Sequence, residues 1–419
     1  MSAATLSPRR IGLVGGFLVA LGPVSLALYT PALPSVVAAL DTTPGAVKLT
    51  LTAYFVGLAV AQLVCGPLSD AYGRRPVTLW FVGLYIVATL GCALAPTIDL
   101  LIAGRFVQGV GASVGLAIAR AIVRDGFTGE PAAKLYNLIG LVLAIGPAVS
   151  PTIGALTIAV LDWHAVFLVM AAFGAMVAVF FLVFIPETNA APDPGVLDPR
   201  RMARNWGLLL STRSFMVPSV ICGMAIGGVH ASAAFLPFLL IETLGLSPFG
   251  FALVMLIQTG AYVGSTVLVR ALLYRFDAVR LMGAGVAMIV LGGVILFGWL
   301  QVAEPTVVAT MAPIAIWMLG IALVMPGATS EAMAPFPRIA GSASAMLGFF
   351  QLSGGFLGSA AAALLPDPVT ALATVLPTMA AVALAALAFK PKGEPPAMLD
   401  AALAPAREPA ATDGGGPRP

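Results

Sequence analysis

Long apolar runs, each near the length needed to cross a membrane, succeed one another along almost the whole chain. Polar or Pro- and Gly-containing breaks separate twelve of them. About 20 helical residues cross the hydrocarbon core of a bilayer, and backbone groups in lipid must be hydrogen-bonded within their own segment. The runs therefore predict transmembrane helices at approximately 11–35, 49–68, 77–95, 99–120, 135–158, 165–186, 215–240, 249–270, 280–300, 306–328, 340–364 and 370–389.

Composition agrees with a membrane protein and disfavours enzymatic classes. Hydrophobic residues make up 60% of the chain and charged residues 9%, against about a quarter charged in soluble domains. The three cysteines stand singly in apolar runs, which disfavours a disulfide or a metal site. The sequence has no nucleotide-binding loop and no cluster of nucleophiles. We therefore expect no enzymatic activity and no cofactor beyond a proton gradient. The expected partners are a small-molecule substrate and membrane lipid, without nucleic acid, and the expected state is a monomer.

The positions of the basic residues predict the topology. With the N-terminus in the cytoplasm, 19 of the 21 Lys and Arg residues fall on the inner side. Lys48 alone falls outside, and Arg105 alone lies within a span. Because inner loops carry an excess of Lys and Arg, the count favours a multi-pass protein of the inner (plasma) membrane with both termini cytoplasmic.

The longest internal break divides the spans into two sets of six. We expect an N-terminal half at 1–187, a cytoplasmic linker at 188–213 and a C-terminal half at 214–390. The tail 391–419, rich in Pro, Ala and Gly, is expected to be disordered and cytoplasmic. Within the linker, Arg200–Thr212 could form a short interfacial helix or stay a solvated segment.

A polar, glycine-punctuated turn joins the second and third spans. It reads Gly66-Pro-Leu-Ser-Asp70-Ala-Tyr-Gly73-Arg74-Arg75-Pro76. Asp70 and Arg74 are four residues apart and can pair, or Asp70 can meet the N-terminus of a neighbouring helix, where an anion is favoured. We expect Gly66 and Gly73 to allow close helix contact and a tight turn, and the loop to help close the cytoplasmic side.

Arg105 is the most informative single residue. It lies about 10 Å into the fourth span, at ~1.5 Å per helical residue, and Gln108 follows one turn later. A charge at that depth is costly unless it faces a cavity or a partner, so it marks a functional site by default. The alternative is an arginine bonded to backbone carbonyls for helix packing.

The fifth span combines helix-breaking and small residues. Gly146, Pro147, Pro151 and Gly154 lie on neighbouring turns. The two prolines each remove a backbone hydrogen bond, which predicts a bent helix with a small-residue face. An ordinary membrane-helix kink is the alternative, because Gly and Pro are common in such helices.

Polar residues inside the spans are sparse, and they indicate an apolar cavity between the halves. Such a cavity suits an uncharged or lipophilic substrate. In the seventh span, His230 could carry a proton, because histidine titrates near neutral pH; a neutral histidine, bonded to a carbonyl or lining a polar cavity, is the alternative. The candidate cavity residues are Tyr29, Tyr54, Gln62, Gln258 and Gln351.

Several motifs carry a resemblance to a known family. They are Gly66-x-Leu68-x-Asp70-x-x-Gly73-Arg74-Arg75, Leu101-x-x-x-Arg105-x-x-Gln108-Gly109 and Gly146-Pro147-x-x-x-Pro151-x-x-Gly154. They resemble, in turn, the loop signature, the fourth-helix proton-coupling motif and the fifth-helix antiporter motif of the major facilitator superfamily. Tyr29-Thr-Pro31-Ala-Leu33-Pro34, Trp163-His-x-x-Phe167, Pro186-Glu187-Thr188 and Gly341-Ser-Ala-Ser-Ala345 look like its drug:proton antiporter branch of bicyclomycin and chloramphenicol resistance (Bcr/CflA) type.

The resemblance implies an all-α membrane fold of twelve helices in two six-helix halves. It also implies multidrug efflux by proton antiport with alternating access, and hence antibiotic resistance. One departure is important: the branch usually has an aspartate in the first helix where this chain has Ala27. No Asp or Glu lies near the middle of any span. A facilitator or importer of a small metabolite, without proton coupling, is therefore the alternative.

Overall fold

The computed structural model describes residues 8–127, 129–189 and 191–390. Within these ranges the chain is helical, with no β-strand. The predicted disordered tail, 391–419, lies outside the described residues. The helices are α1 (Pro8–Tyr29), α2 (Leu33–Ala39), α3 (Pro44–Tyr72), α4 (Arg74–Ala93), α5 (Ile98–Ala112), α6 (Val114–Gly126), α7 (Gly129–Val160), α8 (Trp163–Phe184), α9 (Pro199–Ser211), α10 (Arg213–Pro237), α11 (Pro248–Leu272), α12 (Ala278–Val302), α13 (Val307–Met333), α14 (Ala340–Leu364) and α15 (Pro368–Ala388).

The predicted spans are confirmed as helices. Eleven helices of the described chain are long and apolar enough to cross a membrane. Three of these spans are longer than a single helix. Arg10–Ala39 joins most of α1 to α2, Ile98–Val123 joins α5 to most of α6, and Arg213–Thr243 extends beyond the end of α10. The predicted fifth span lies in α7, a helix of 32 residues, of which Val149–Val160 forms a shorter apolar segment.

Short polar side chains start many of these helices. Each accepts a hydrogen bond from a backbone N–H of the first turn, which would otherwise have no partner within its helix. The breaks between apolar runs therefore contain residues that begin the next helix. The capping residues are Thr43, Thr97, Asp162, Ser247, Asp277, Thr306 and Asp367.

Prolines and a π-helical turn interrupt two of the spans. A short 3-10 turn, Thr30–Ala32, separates α1 from α2, because Pro31 and Pro34 have no N–H for the α-helical pattern. The seventh span ends in a π-helical turn, Phe238–Thr243. Both interruptions lie near the same end of the bundle.

The bundle has two ends, which we name by a residue at each. The Arg10 face holds the start of α1 and the end of α15, where Lys390 Nζ lies 3.0 Å from Glu331 Oε2. The Lys48 face holds the loops that contain Asp162 and Asp367. Between the two ends, α3 packs against α14 and α7 packs against α11, so the two halves meet along these helices.

The linker divides its contacts between the two halves. The side chain of Asn189 donates to the carbonyl oxygen of Asp70 over 2.9 Å, and the N–H of Asp193 donates to the same oxygen over 3.1 Å. Further along, α9 packs against α10 and α14, and Asn205 Nδ2 donates to Ser342 Oγ over 3.4 Å. The segment expected to be either an interfacial helix or solvated is thus helical.

Candidate functional site

A cavity of about 410 Å³ lies between the two halves. Side chains from α1, α3 and α7 line it on one side, and side chains from α10, α11, α13 and α14 line it on the other. The wall is mainly apolar, and its described residues include no Asp, Glu, Lys or Arg. The predicted residues Tyr54, Gln62, Pro151, His230, Gln258 and Gln351 all line this cavity.

His230 projects from α10 into this wall. Its ring packs on Phe55, with centroids 4.9 Å apart. The Nδ1 atom is buried and has no hydrogen-bond partner among the described residues. A Cβ at Gly355 would lie 2.8 Å from the Cβ of His230, so the glycine leaves the space that the histidine occupies.

Gln62 lies in the wall opposite a second glycine. Only 6% of its surface is exposed. A Cβ at Gly348 would lie 2.7 Å from Gln62 Nε2, and therefore a side chain there would displace the amide. In this region α14 approaches α3 closely because it carries glycine.

Arg105 is fully buried and does not line the cavity. Its guanidinium carbon lies 4.3 Å from the ring centroid of Tyr54, 4.7 Å from that of Tyr29 and 5.9 Å from that of Phe167. A cation over aromatic faces is attracted by the ring quadrupole. The guanidinium is thus enclosed by rings from three helices, and we call this group the aromatic box.

The polar contacts of the aromatic box are few. Arg105 Nη1 donates to Gln108 Oε1 over 2.5 Å, and Gln108 Nε2 donates to Thr89 Oγ1 over 2.8 Å. Arg105 Nε and Nη2 have no partner among the described residues. Gln108, one turn after Arg105, is thus bonded to it. Tyr29, a predicted cavity residue, covers Arg105 and does not line the cavity.

Two partners of Arg105 carried no signal of that role in the sequence. Tyr54 lines the cavity and also covers Arg105. Phe167 is 62 positions from Arg105, and in the sequence it stands out only as part of a family pattern. Sequence distance hides both contacts, because the box forms only when α1, α3, α5 and α8 pack together.

Glycines bring α7 close to α1. A Cβ at Gly146 would lie 2.9 Å from Val24 Cγ2, and one at Gly154 would lie 3.0 Å from Pro31 Cγ. The expected small-residue face of α7 therefore packs on the first span. The side chain of Pro147 is not among those described, and α7 runs past it as one helix.

The turn after α3 is built around Arg74. This side chain forms an ion pair with Asp70, and its Nε lies 3.0 Å from Asp125 Oδ2. Gly73 has φ +100°, a backbone conformation that favours glycine. Gly66 differs from expectation, because a Cβ there would meet no atom of the described residues within 4 Å; no close helix contact within the described chain requires a glycine at this position.

Glu187 completes this turn from a distant part of the chain. Its two carboxylate oxygens accept from the N–H groups of Arg74 and Arg75, each over 2.9 Å. These N–H groups begin α4, where negative charge is favoured. The anion at a helix N-terminus is thus Glu187, not Asp70, which pairs with Arg74 instead.

Side chains join the two halves at the Lys48 face. Lys48 is 2% exposed, and its ammonium donates to the carbonyl oxygen of Ala362 over 3.1 Å. Thr52 and Ser359 hydroxyls are 2.8 Å apart. Since α3 belongs to one half and α14 to the other, these bonds close this end of the interface.

Asp367 lies in the loop next to this junction. Partial burial raises the pKa of its carboxyl, but hydrogen bonds from Thr370 and Val369 and the charge of Lys48 outweigh it and hold the pKa below its usual range. The ionised form is therefore favoured at neutral pH.

Known proteins with similar sequences are membrane transporters. Residues 13–359 match the family described as Major Facilitator Superfamily. An uncharacterised MFS-type transporter, YdgK of Bacillus subtilis, is 32% identical over 80% of this chain and 84% of its own. The multidrug resistance protein MdtL of Escherichia coli is 28% identical over 81% of this chain and 85% of its own.

Solved structures show the same fold at low sequence identity. A POT family transporter in complex with 5-aminolevulinic acid has a TM-score of 0.75 at 14% identity, covering 93% of this chain and 98% of its own. A D-xylose-proton symporter has a TM-score of 0.70 at 15% identity, covering 90% of this chain and 96% of its own. With a family match over most of its length and two halves around a central cavity, this chain belongs to the Major Facilitator Superfamily of membrane transporters.

Proposed function

We propose that this transporter exports uncharged, lipophilic small molecules by proton antiport with alternating access. The observation that carries the proposal is the central cavity: it lies between the halves, its wall is mainly apolar, and the described wall residues include no Asp, Glu, Lys or Arg. Sites for small molecules are largely apolar with a few placed polar groups. Rocking of two halves about a midplane site is the usual mechanism in such folds.

The relatives support export of drugs more than the fold does. MdtL is named a multidrug resistance protein, whereas the solved structures include transporters named for a sugar and for nucleosides. The fold thus accepts several substrate classes. The motifs that resemble the Bcr/CflA-type branch favour efflux, and we assign the chain to that branch within this proposal.

The predicted topology assigns each end of the bundle to one side of the membrane. Basic residues favour a cytoplasmic Arg10 face in the inner membrane. The Lys48 face is then external, and the bonds from Lys48 to Ala362 and from Thr52 to Ser359 would close the cavity to the outside. Export in this proposal is therefore movement of the substrate from the Arg10 face to the Lys48 face.

His230 is our candidate for carrying the proton. Its imidazole lies in the cavity wall, and the wall position where the related branch usually has an aspartate is Ala27. The second candidate function, a facilitator without proton coupling, is favoured by the absence of a carboxylate from the described wall residues. The two functions differ in whether a proton gradient drives uphill transport.

Transport in proteoliposomes separates these functions. Vesicles of phosphatidylethanolamine and phosphatidylglycerol with an acidic interior should accumulate radiolabelled chloramphenicol, a neutral probe, above its external concentration. A protonophore should collapse this accumulation, and His230→Gln should lose it while keeping downhill exchange. Downhill flux unaffected by the protonophore would indicate the facilitator. No uptake of chloramphenicol or of a panel of other neutral antibiotics would overturn the export proposal.

The role of Arg105 is tested in the same vesicles. Arg105→Ala should lose flux while the protein stays folded, as judged by gel filtration and thermal unfolding. The matched control is Arg213→Ala, because Arg213 is exposed and does not line the cavity. Normal flux in Arg105→Ala would show that the residue has only a packing role.

A further inference from the structure

The positive charge of Arg105 is not neutralised by a carboxylate. Its polar contact is the neutral amide of Gln108, and it forms no ion pair with any residue in the described ranges. Arg74 shows the contrast, since Asp70 and Asp125 both lie within ion-pair distance of it. A buried charge without a partner is expensive, and such groups in membrane spans are functional by default.

The cavity wall supplies no compensating charge either. Its described residues include no acid, and the sequence contains no Asp or Glu between Glu130 and Asp162, the range that includes the partly described helix α7. Ala27 lines the cavity as a methyl group. The guanidinium lies outside the wall, but it is a full charge in contact with a wall residue, Tyr54.

Tyr54 connects this charge to the cavity. One face of its ring covers the Arg105 guanidinium carbon at 4.3 Å, and the same residue lines the cavity. The Tyr54 ring is fully buried, so an occupant atom that touches this residue from the cavity would lie at least a further ~3.5–4 Å away. The two charges would then be about 8 Å apart or more. At an effective dielectric constant of about 20, unit charges about 8 Å apart shift an equilibrium roughly 30-fold, which is the upper limit of the effect.

From this arrangement we infer that Arg105 acts as a charge filter through the ring of Tyr54, so that the cavity accepts neutral and anionic molecules and rejects organic cations. The inference deepens the proposed export function by naming the charge class of its substrates. The positive potential that Arg105 would produce in the cavity does not depend on transport. It can therefore be measured before any substrate is known.

Thiol-modifying reagents of matched size measure this potential. In a background with Cys65, Cys92 and Cys222 replaced by alanine, a single cysteine replaces Leu58, which lines the cavity one turn after Tyr54. The probes are 2-sulfonatoethyl and 2-trimethylammonioethyl methanethiosulfonate, with the 2-hydroxyethyl reagent as the neutral reference. Each rate is divided by the rate with 2-mercaptoethanol at the same ionic strength, because salt screens charges.

We expect the anionic reagent to react at least about five-fold faster than the cationic one after this correction. Arg105→Gln should bring the ratio within about two-fold of one, whereas Arg105→Lys, which keeps the charge, should preserve most of the preference. Arg213→Gln removes an exposed charge and should leave the ratio unchanged. A ratio of one or below in the parent, or an unchanged ratio in a folded Arg105→Gln, would overturn the inference.

The parent ratio keeps the test decisive if Arg105→Gln does not fold. The outcome is also separable from that of the export proposal. A preference for the anionic reagent in a protein that moves no neutral compound would leave the charge filter and remove the export function. Proton-driven export of chloramphenicol, with equal corrected rates for the anionic and cationic reagents, would leave the export function and remove the charge filter.

Discussion

Replacing Gly109 by alanine tests how the aromatic box is held together. Gly109 lies on α5 one turn after Arg105, where α5 crosses α3. A Cβ at this position would lie 3.0 Å from both the backbone nitrogen of Leu58 and the carbonyl carbon of Tyr54, and closer still to the carbonyl oxygen of Tyr54. Ordinary contact begins at 3.4 Å, so the backbones must separate by at least the 0.4 Å difference. The residue that must retreat is Tyr54, which covers Arg105.

The size of the effect follows from two opposing terms. Alanine in place of a helical glycine gains about 1 kcal/mol of helix propensity. Overpacking costs about 1–3 kcal/mol, and the upper end applies because backbone atoms cannot change rotamer. We therefore expect Gly109→Ala to destabilise the protein by about 2 kcal/mol and to reduce transport as Tyr54 moves from Arg105. Gly83→Ala is the matched control: a Cβ there would meet no atom of the described part of the chain within 4 Å, so this variant should gain up to about 1 kcal/mol of stability.

Thermal unfolding in detergent, followed by intrinsic fluorescence, compares the two variants. Gly109→Ala should unfold at a lower temperature than the parent and Gly83→Ala at the same or a higher temperature. The decisive feature is that the two unfolding temperatures shift differently, because a general intolerance of alanine in membrane helices would lower the unfolding temperature of both variants. Equal stability of Gly109→Ala and the parent, with normal transport, would refute the close approach of α5 to α3.

Three further changes test contacts away from the cavity. Glu187→Ala should lower stability by about 1–2 kcal/mol, because the first N–H groups of α4 lose their anion. This is the low end for charged hydrogen bonds, because Glu187 is exposed. Thermal unfolding measures the change. Asp367→Ala should cost about 1 kcal/mol by removing the cap of α15. Because the pKa of Asp367 is lowered in the fold, its stabilisation is complete above the unfolded pKa of about 3.9 and is lost as the pH falls through the lower folded value. The stability difference from the parent should therefore be full at pH 7 and shrink in acid, and a difference constant with pH would contradict the ionised cap. Lys48→Met should loosen the Lys48 face, and a cysteine at Thr30 should then react several-fold faster with a thiol reagent added from that side; an unchanged rate would show that Lys48 does not hold the halves together.

The helices and the depth of Arg105 could be predicted from the sequence because they depend on local properties. Apolar length determines a span, and a single arginine far from any loop has few places to lie except among other helices. The same reasoning predicts His230 within the seventh span, and the structure puts it in the cavity wall. None of these inferences required knowledge of which helices are neighbours.

Neighbour relations could not be predicted, and the differences from expectation concern them. Tyr29 lies behind the wall, because its ring packs on Phe167 with centroids 5.3 Å apart. Glu187 reaches Arg74 across 113 positions of sequence. Gly66 resembles a packing glycine by motif, but a Cβ there would meet no atom of the described residues within 4 Å. Each outcome depends on the relative rotation of helices, which apolar periodicity does not fix when a helix is apolar on most sides.

The linker contacts have a consequence for how this protein could be built. Asn189 and Asp193 are bonded to the end of α3, and the 3-10 turn Pro194–Leu197 also packs on α3. Asp198 instead caps α9, which packs on the other half. Residues on either side of the bond between Leu197 and Asp198 thus belong to different halves. The chain could therefore be expressed as two polypeptides, one that ends at Leu197 and one that begins at Asp198. Each would keep the linker residues that bind its own half, and the two should assemble into a working transporter when co-expressed.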